Sequence, residues 1–246
     1  MRALRLGCVP YLNARPLLHG LRPDLETPAR LADRFAEGLY DAALIPTYES
    51  LRLPGVRIVD GFGICSLGPV YSVIVAHRQP LTKVSEIVLD PASRTSANLL
   101  RVLLEKRCFP APKLVENSTD PDAARLIIGD AAMEFQRGAD AFWNIFDLGR
   151  EWTEWTGLPF VFAAWTLAEN APAETADILR AAAQSGLAAR PEIAALEHDP
   201  AAALDYLTRS IRYKIGEPEK LAIRKFRSLL IECGLLQSTA PEPDFV

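Results

Sequence analysis

The sequence lacks the residue patterns that announce metal, covalent or nucleotide chemistry. Its four cysteines, Cys8, Cys65, Cys108 and Cys233, show no CxxC or other metal spacing. They read as small, buried apolar residues in a reducing compartment. Its three histidines, His19, His77 and His198, stand apart from any serine or cysteine at a nucleophile elbow, and no carboxylate cluster has metal spacing. There is no glycine-rich phosphate loop. No metal and no cofactor are therefore expected. Long apolar runs are missing too: none approaches the roughly 20 residues of a membrane-spanning helix. The apolar part of residues 1–12 is too short for the core of a secretory leader. Leu6-Gly7-Cys8 has the form of a lipoprotein cleavage site but has no hydrophobic stretch before it. The expectation is a cytoplasmic protein with no membrane partner. Positive charge is also short, with 27 Lys and Arg against 31 Asp and Glu and a net charge of -4. Without a basic surplus to neutralise phosphates, nucleic acid is not an expected partner. A small anion held in one local positive pocket remains compatible with that balance.

What is present is an ordinary globular composition. The 246 residues are 49% hydrophobic and 24% charged, enough for one large domain or two small lobes with real cores. A strand is expected over residues 5–9, a turn over 10–15, and a helix from Pro16 to about Gly20. Leu31, Phe35 and Leu39 recur at helical spacing before a strand over 41–45, and 56–59 and 71–76 read as further strands. A second α/β unit follows, with a strand over 87–90. A helix over 94–106 carries Leu99, Leu100, Leu103 and Leu104 on one face. A buried strand over 125–128 closes at Gly129-Asp130 before a helix from Ala131. A helix over 147–155 stops at Gly157, and 161–165 is a strand. Residues 173–236 read as alanine- and leucine-rich helix broken at Gly186, Pro191, Pro200 and Gly216 to Pro218. Residues 238–246 read as a loose, proline-rich tail.

Alternating strands and helices imply parallel sheets. The expected fold class is therefore α/β with two lobes, the chain crossing out near Tyr71 and back near Val161. Residues 1–72 and 164–246 form one lobe, including the C-terminal helices, and 73–163 the other. Two crossings at one hinge leave a ligand cleft between the lobes, where the carboxyl ends of strands bind small molecules.

Four segments could carry chemistry. Tyr11-Leu12-Asn13-Ala14-Arg15-Pro16 lies where a strand gives way to a helix. There Asn13 either orients a ligand or merely caps the helix, and Arg15 is either a ligand contact or a solvated surface residue. Asp90-Pro91-Ala92-Ser93-Arg94-Thr95-Ser96 gathers three hydroxyls and a guanidinium at a helix start. Helix N-termini attract anions through free N–H groups and the macrodipole, and Arg94 could grip a carboxylate bidentately. Ser72 faces the cleft or bonds the hinge backbone. Asp130 is a base, a ligand-orienting group, or the cap of its own helix. Trp143, Trp152, Trp155 and Trp165 read as packing residues.

Five segments of this chain, taken together, resemble the chorismate dehydratases. They are Tyr11-Leu12-Asn13-Ala14-Arg15-Pro16-Leu17, Ser66-Leu67-Gly68-Pro69-Val70, Ser93-Arg94-Thr95-Ser96, Leu126-Ile127-Ile128-Gly129-Asp130-Ala131-Ala132 and Trp155-Thr156-Gly157-Leu158-Pro159-Phe160-Val161-Phe162-Ala163. Those are the MqnA-type enzymes that open the futalosine route to menaquinone, and the likeness runs over residues 5 to 166 or so. The resemblance implies a type II periplasmic-binding-protein-like fold without a signal peptide. It implies loss of water from chorismate, a small dicarboxylate, to give 3-[(1-carboxyvinyl)oxy]benzoate. Carried over, Asn13 and Ser72 are the expected catalytic residues. Tyr11, Arg15, Ser93, Arg94, Thr95, Ser96, Gly129 and Asp130 are the expected substrate-binding residues. Asp130 or the substrate's own enolpyruvyl carboxylate would take the proton, and the second reading is preferred. The alternatives are the sister enzyme that makes a dihydroxynaphthoate, expected to use a cleft histidine, and a plain receptor for small anionic solutes.

Overall fold

Two β-sheets, joined by two strands of chain that run side by side, carry the architecture. The computed structural model describes residues 3–107, 110 and 112–246; Cys108 lies outside them. The chain begins with β1 (Leu6–Cys8), a 3₁₀ helix over Leu12–Leu18, β2 (Asp24–Leu25), α1 (Pro28–Ala36), β3 (Ala42–Pro46), α2 (Thr47–Arg52) and β4 (Arg57–Ser66). It then leaves for β5 (Val73–His77), β6 (Glu86–Val88), α3 (Arg94–Lys106), β7 (Lys113–Val115), β8 (Ala124–Ile128), α4 (Asp130–Gly138), β9 (Asn144–Asp147) and α5 (Leu148–Thr156). It returns as β10 (Phe160–Leu167) and continues through α6 (Thr175–Ala188), α7 (Arg190–Ala194) and α8 (Pro200–Asp205). A π-helical turn over Tyr206–Ser210, β11 (Arg212–Ile215) and α9 (Glu217–Glu232) complete it.

The first sheet has the order β11-β4-β10-β3-β1-β2 and the second β7-β6-β8-β5-β9. Parallel pairing of β1 with β2 and β3, and of β6 with β7 and β8, comes from helical crossovers. β3 and β5 are buried on both faces, which is why they read as continuous apolar runs. β10 lies between β3 and β4, antiparallel to both. Its first residue, Phe160, sits opposite Ser66, the last residue of β4. The outgoing and returning chain are thus neighbours. β10 pairs with the first sheet from Phe160 onward, so the return precedes Phe160 instead of falling at the expected 163/164 boundary. All of β10, from Phe160 to Leu167, pairs within the first sheet.

Local chemistry explains the element ends. Asp147 accepts from the Arg150 N–H at the start of α5, and Gly157 closes that helix in the left-handed region at φ 71°. Gly38, at φ 78°, stops α1 early, so Leu39 lies outside the helix and is exposed. The expected helix from Pro16 is a 3₁₀ helix that already starts at Leu12, with Pro16 inside it.

Other expectations change with tertiary context. Gly186 does not break a helix but lies within α6. A Cβ there would sit 2.0 Å from the Pro16 carbonyl oxygen, so glycine lets α6 press onto the helix that carries Asn13. Residues 212–215, expected as helix, form β11, whose burial alternates exposed and buried. The C-terminal tail is docked, not loose. The Asp244 and Val246 carbonyls accept from the Ile58 and Asp60 N–H groups at 2.7 and 2.9 Å, and Arg224 lies over the Phe245 ring. Cys8 and Cys65 are buried, whereas Cys233 is half-buried. Trp152 and Trp165 are fully buried; Trp152 packs edge-on against Trp155, Phe160 and Phe226.

Overpacking a tight interface destabilises by about 1–3 kcal/mol. Gly186→Ala is expected to lower the urea midpoint by an equivalent amount with an unchanged slope. An unshifted midpoint would show that α6 and the 3₁₀ helix do not meet this closely.

Candidate active site

A cavity of about 70 Å³ lies between the two sheets, at the hinge. Its walls are largely apolar: Val9, Leu44, Ile64, Val73, Ile128 and Phe162. Its polar groups are Tyr11, Asn13, Ser72, Ser93, Thr95 and Ser96, with Gly129 contributing backbone. Small-ligand pockets run to roughly 300–1,000 Å³, so a ring-bearing metabolite requires the sheets to part.

Ser72 sits on the outgoing crossing, and three contacts fix it. The Asp147 carboxylate accepts from the Val70 N–H at 3.0 Å and the Tyr71 N–H at 2.8 Å. Tyr71 adopts φ 61°, left-handed backbone that a bulky residue rarely takes, and such strain persists only where surroundings over-determine it. On the far side, the Gly129 N–H donates to the Ser72 carbonyl at 2.7 Å. The Ser72 side chain is buried and its Oγ has no hydrogen-bond partner.

Asn13 lies inside the 3₁₀ helix instead of capping it; the N-cap position is Tyr11. Its Nδ2 donates to the Tyr206 hydroxyl at 2.9 Å, and its Oδ1 is buried without a partner. Tyr11 packs its ring on Gly129, where a Cβ would come within 2.9 Å. Only glycine permits that approach, and its φ of 66° asks for glycine as well. Burial, then the nearby Asp90 and Asp130, push the Tyr11 phenol up to about 12, so it meets a ligand as a neutral hydroxyl.

The start of α3 supplies the remaining donors. Ser93 is its N-cap residue, yet the side chain makes no capping bond, so the hydroxyl is free for a ligand. Thr95 Oγ1 accepts from the Tyr48 N–H of the first sheet unit at 3.0 Å and keeps its own proton to donate. The first N–H groups of a helix have no intrahelical partner and carry the positive end of the dipole.

Seven of the ten expected site residues therefore meet at one cavity; Arg15, Arg94 and Asp130 do not line it. Arg15 pairs with Glu197. Arg94 turns across to the other sheet unit, bonding Asp33 at 2.8 Å and Glu49 at 3.2 Å. Glu49 is fully buried, and a buried carboxylate needs a cation more than an exposed ligand site does. Asp130 neither caps its own helix nor faces the cavity. It accepts from the Leu12 N–H at 3.2 Å, bracing the helix that bears Asn13. It also lines a second cavity of about 460 Å³, as does Tyr206.

Tyr206 is the site residue that sequence reasoning missed. A tyrosine among alanines and leucines reads as core, and nothing local marks the π-helical turn it opens. Among the described residues, no group of three or more His, Cys, Asp or Glu side chains is placed to hold a metal ion. Nor, among them, is any helix long and apolar enough to cross a membrane.

Burial raises the Asp130 carboxyl above its ordinary 3.8, against the opposing pull of the Leu12 N–H. A carboxyl that binds its proton more tightly folded than unfolded destabilises the fold once ionised, so its contribution worsens as pH rises from 3.8 through the raised value. Asp130→Asn keeps an acceptor for Leu12 and removes the charge. Its melting temperature relative to wild type is expected to improve between pH 3 and pH 7. A difference that stays flat across that range would show that burial of Asp130 carries no penalty.

Comparison with known proteins agrees with this geometry. A family model described as menaquinone biosynthesis matches residues 4–232. The chorismate dehydratase of Thermus thermophilus is 30% identical over 94% of this chain and 96% of that protein. The chorismate dehydratase of Campylobacter jejuni is 27% identical over 88% of each. A crystal structure of an Archaeoglobus fulgidus protein superposes with a TM-score of 0.73 at 15% identity, covering 95% of this chain and 98% of that one. A Candida albicans protein described as having the generic periplasmic-binding-protein fold gives 0.59 at 13% identity, covering 97% and 92%. The two-sheet α/β architecture is thus a periplasmic-binding-protein-like fold, and the chain belongs to the menaquinone biosynthesis family, among whose members are the chorismate dehydratases.

Proposed function

We propose that this protein is a chorismate dehydratase, a carbon–oxygen hydro-lyase acting in the cytoplasm in the futalosine route to menaquinone. Its product is 3-[(1-carboxyvinyl)oxy]benzoate. The two sheet units act as lobes that part to admit substrate and close over it. The observation that carries the reading is the pair Ser72 Oγ and Asn13 Oδ1. Both are buried, unpartnered and at the wall of an apolar cavity, and buried polar atoms of that kind ask for a ligand.

In the reaction the C4–O bond breaks and the C3–H bond gives its electrons to the new ring double bond. The departing hydroxide and the C3 proton leave together as water. Aromatisation drives the change, so the protein has mainly to orient and to stabilise charge on the leaving oxygen. The α3 start, with Ser93, Thr95 and Ser96, suits a carboxylate through neutral donors. Asn13 Oδ1 suits the C4 hydroxyl proton, and the Ser72 hydroxyl can donate to the C4 oxygen as charge develops there. The cavity lining holds no carboxylate, histidine or lysine, and the Tyr11 phenol is held protonated by burial. Asp130 faces elsewhere. That arrangement supports the substrate's enolpyruvyl carboxylate as the base, delivering the C3 proton to the departing hydroxide. The sister enzyme's histidine base has no counterpart here, since His19 bonds Ser185, His77 meets the Gln79 carbonyl, and His198 lines the second cavity.

Purified protein is expected to convert chorismate to a species one water lighter, read by mass spectrometry, without added metal or nucleotide. Ser72→Ala and Asn13→Ala should each lower kcat on the order of 10²–10³-fold, the usual effect of losing a group that stabilises developing charge. Ser93→Ala with Thr95→Ala should mainly raise KM, roughly tenfold to a hundredfold. Chorismate binding without turnover would overturn the assignment in favour of a solute receptor.

A further inference from the structure

We infer that Tyr206 is a positioning residue for the dehydration, its hydroxyl joining Asn13 to Ser72 and deciding which face of each is offered to the substrate. The inference rests on reading the cavity as a chorismate dehydratase site. Tyr206 comes from the C-terminal region, stands behind Asn13 without lining the cavity itself, and opens the π-helical turn Tyr206–Ser210. Such widened turns are rare and concentrate at functional sites.

An asparagine amide is two-ended, and without a neighbour to choose, either end can face a ligand. Here Nδ2 is committed to the Tyr206 oxygen at 2.9 Å, which leaves Oδ1 for the cavity. A phenol that accepts from Asn13 still carries its own proton, and burial pushes Tyr206 up far enough to keep it there at any working pH. The neighbouring acceptor is the Ser72 hydroxyl. It lies beside Tyr206 and has no hydrogen-bond partner in this arrangement; the inference requires its Oγ to turn to the phenol proton. The chain then runs in one direction, Asn13 N–H to Tyr206 O–H to Ser72 O–H. Its last proton is the one left to donate to the leaving C4 oxygen. Each bond polarises the next.

Tyr206→Phe removes the hydroxyl and keeps the ring. The expected result is a kcat lower by roughly tenfold to a hundredfold, with KM within about threefold of wild type. In a Ser72→Ala background the same change should do much less, because the two groups act as a unit. A readout independent of turnover is the Asn13 side-chain amide signal in nitrogen–proton NMR, identified by its absence in Asn13→Ala, which should shift in Tyr206→Phe. An unshifted amide, an unchanged kcat beside an active wild type, or fully multiplicative losses in the Ser72→Ala background would each overturn the inference. If the wild type fails to dehydrate chorismate, the functional reading falls, while the amide shift still decides whether Tyr206 sets the Asn13 orientation.

Discussion

The Asp147 carboxylate staples the two crossings of the hinge. It stands at the end of β9 and caps α5, on the returning path, and it accepts the N–H groups of Val70 and Tyr71 on the outgoing one. Those N–H groups are buried within the crossing, and a buried donor without a partner costs about 1–3 kcal/mol. The same contact holds Tyr71 in left-handed backbone and so aims Ser72 into the cavity. From there the order propagates: the Ser72 carbonyl receives Gly129, Gly129 supports the Tyr11 ring, and Asp130 beside it braces the helix of Asn13. A shift at the hinge would move the whole polar set together.

The Arg94 charge is committed to contacts between the two sheet units. Arg94 reaches Asp33 and Glu49, and the Tyr48 N–H reaches Thr95, so both contacts cross between the sheet units. The cavity itself is left with hydroxyls, an amide, a neutral phenol and a helix start. Neutral donors suit an anion that must be released after reaction, and in an apolar cavity they act more strongly than in water. For an elimination driven by aromatisation, orientation by such groups suffices.

A fold shared with solute-binding proteins does not carry chemistry by itself. Hinge, cleft and helix N-terminus serve a receptor as well as an enzyme. What distinguishes this cavity is a pair of buried groups at its wall, Asn13 Oδ1 and Ser72 Oγ, with unused hydrogen-bonding capacity.

Much of this was legible in the sequence because it is local. α3 spans 94–106 as its leucine spacing predicts, and Gly157 ends α5 as a left-handed glycine should. Asn13, Ser72, Ser93, Thr95, Ser96 and Gly129 meet because each stands at or beside the end of a strand or helix, and α/β topology collects such junctions at one cleft. The expected site residues that do not line the cavity all bond distant partners. Arg15 finds Glu197, Arg94 finds Glu49 and Asp33, and Asp130 finds the Leu12 N–H, at separations of 182, 45, 61 and 118 residues. Charge and hydroxyl content name what a side chain can bond, but not which partner arrives. β11, the docked tail and Tyr206 are likewise products of tertiary contact, since a four-residue alternation or a lone tyrosine is no stronger than its surroundings. Sequence determined the elements and the chemical kind of the site, because periodicity and capping act within a few residues. Tertiary structure alone decided which charges were spent on closing the lobes and which neutral groups were left for the substrate.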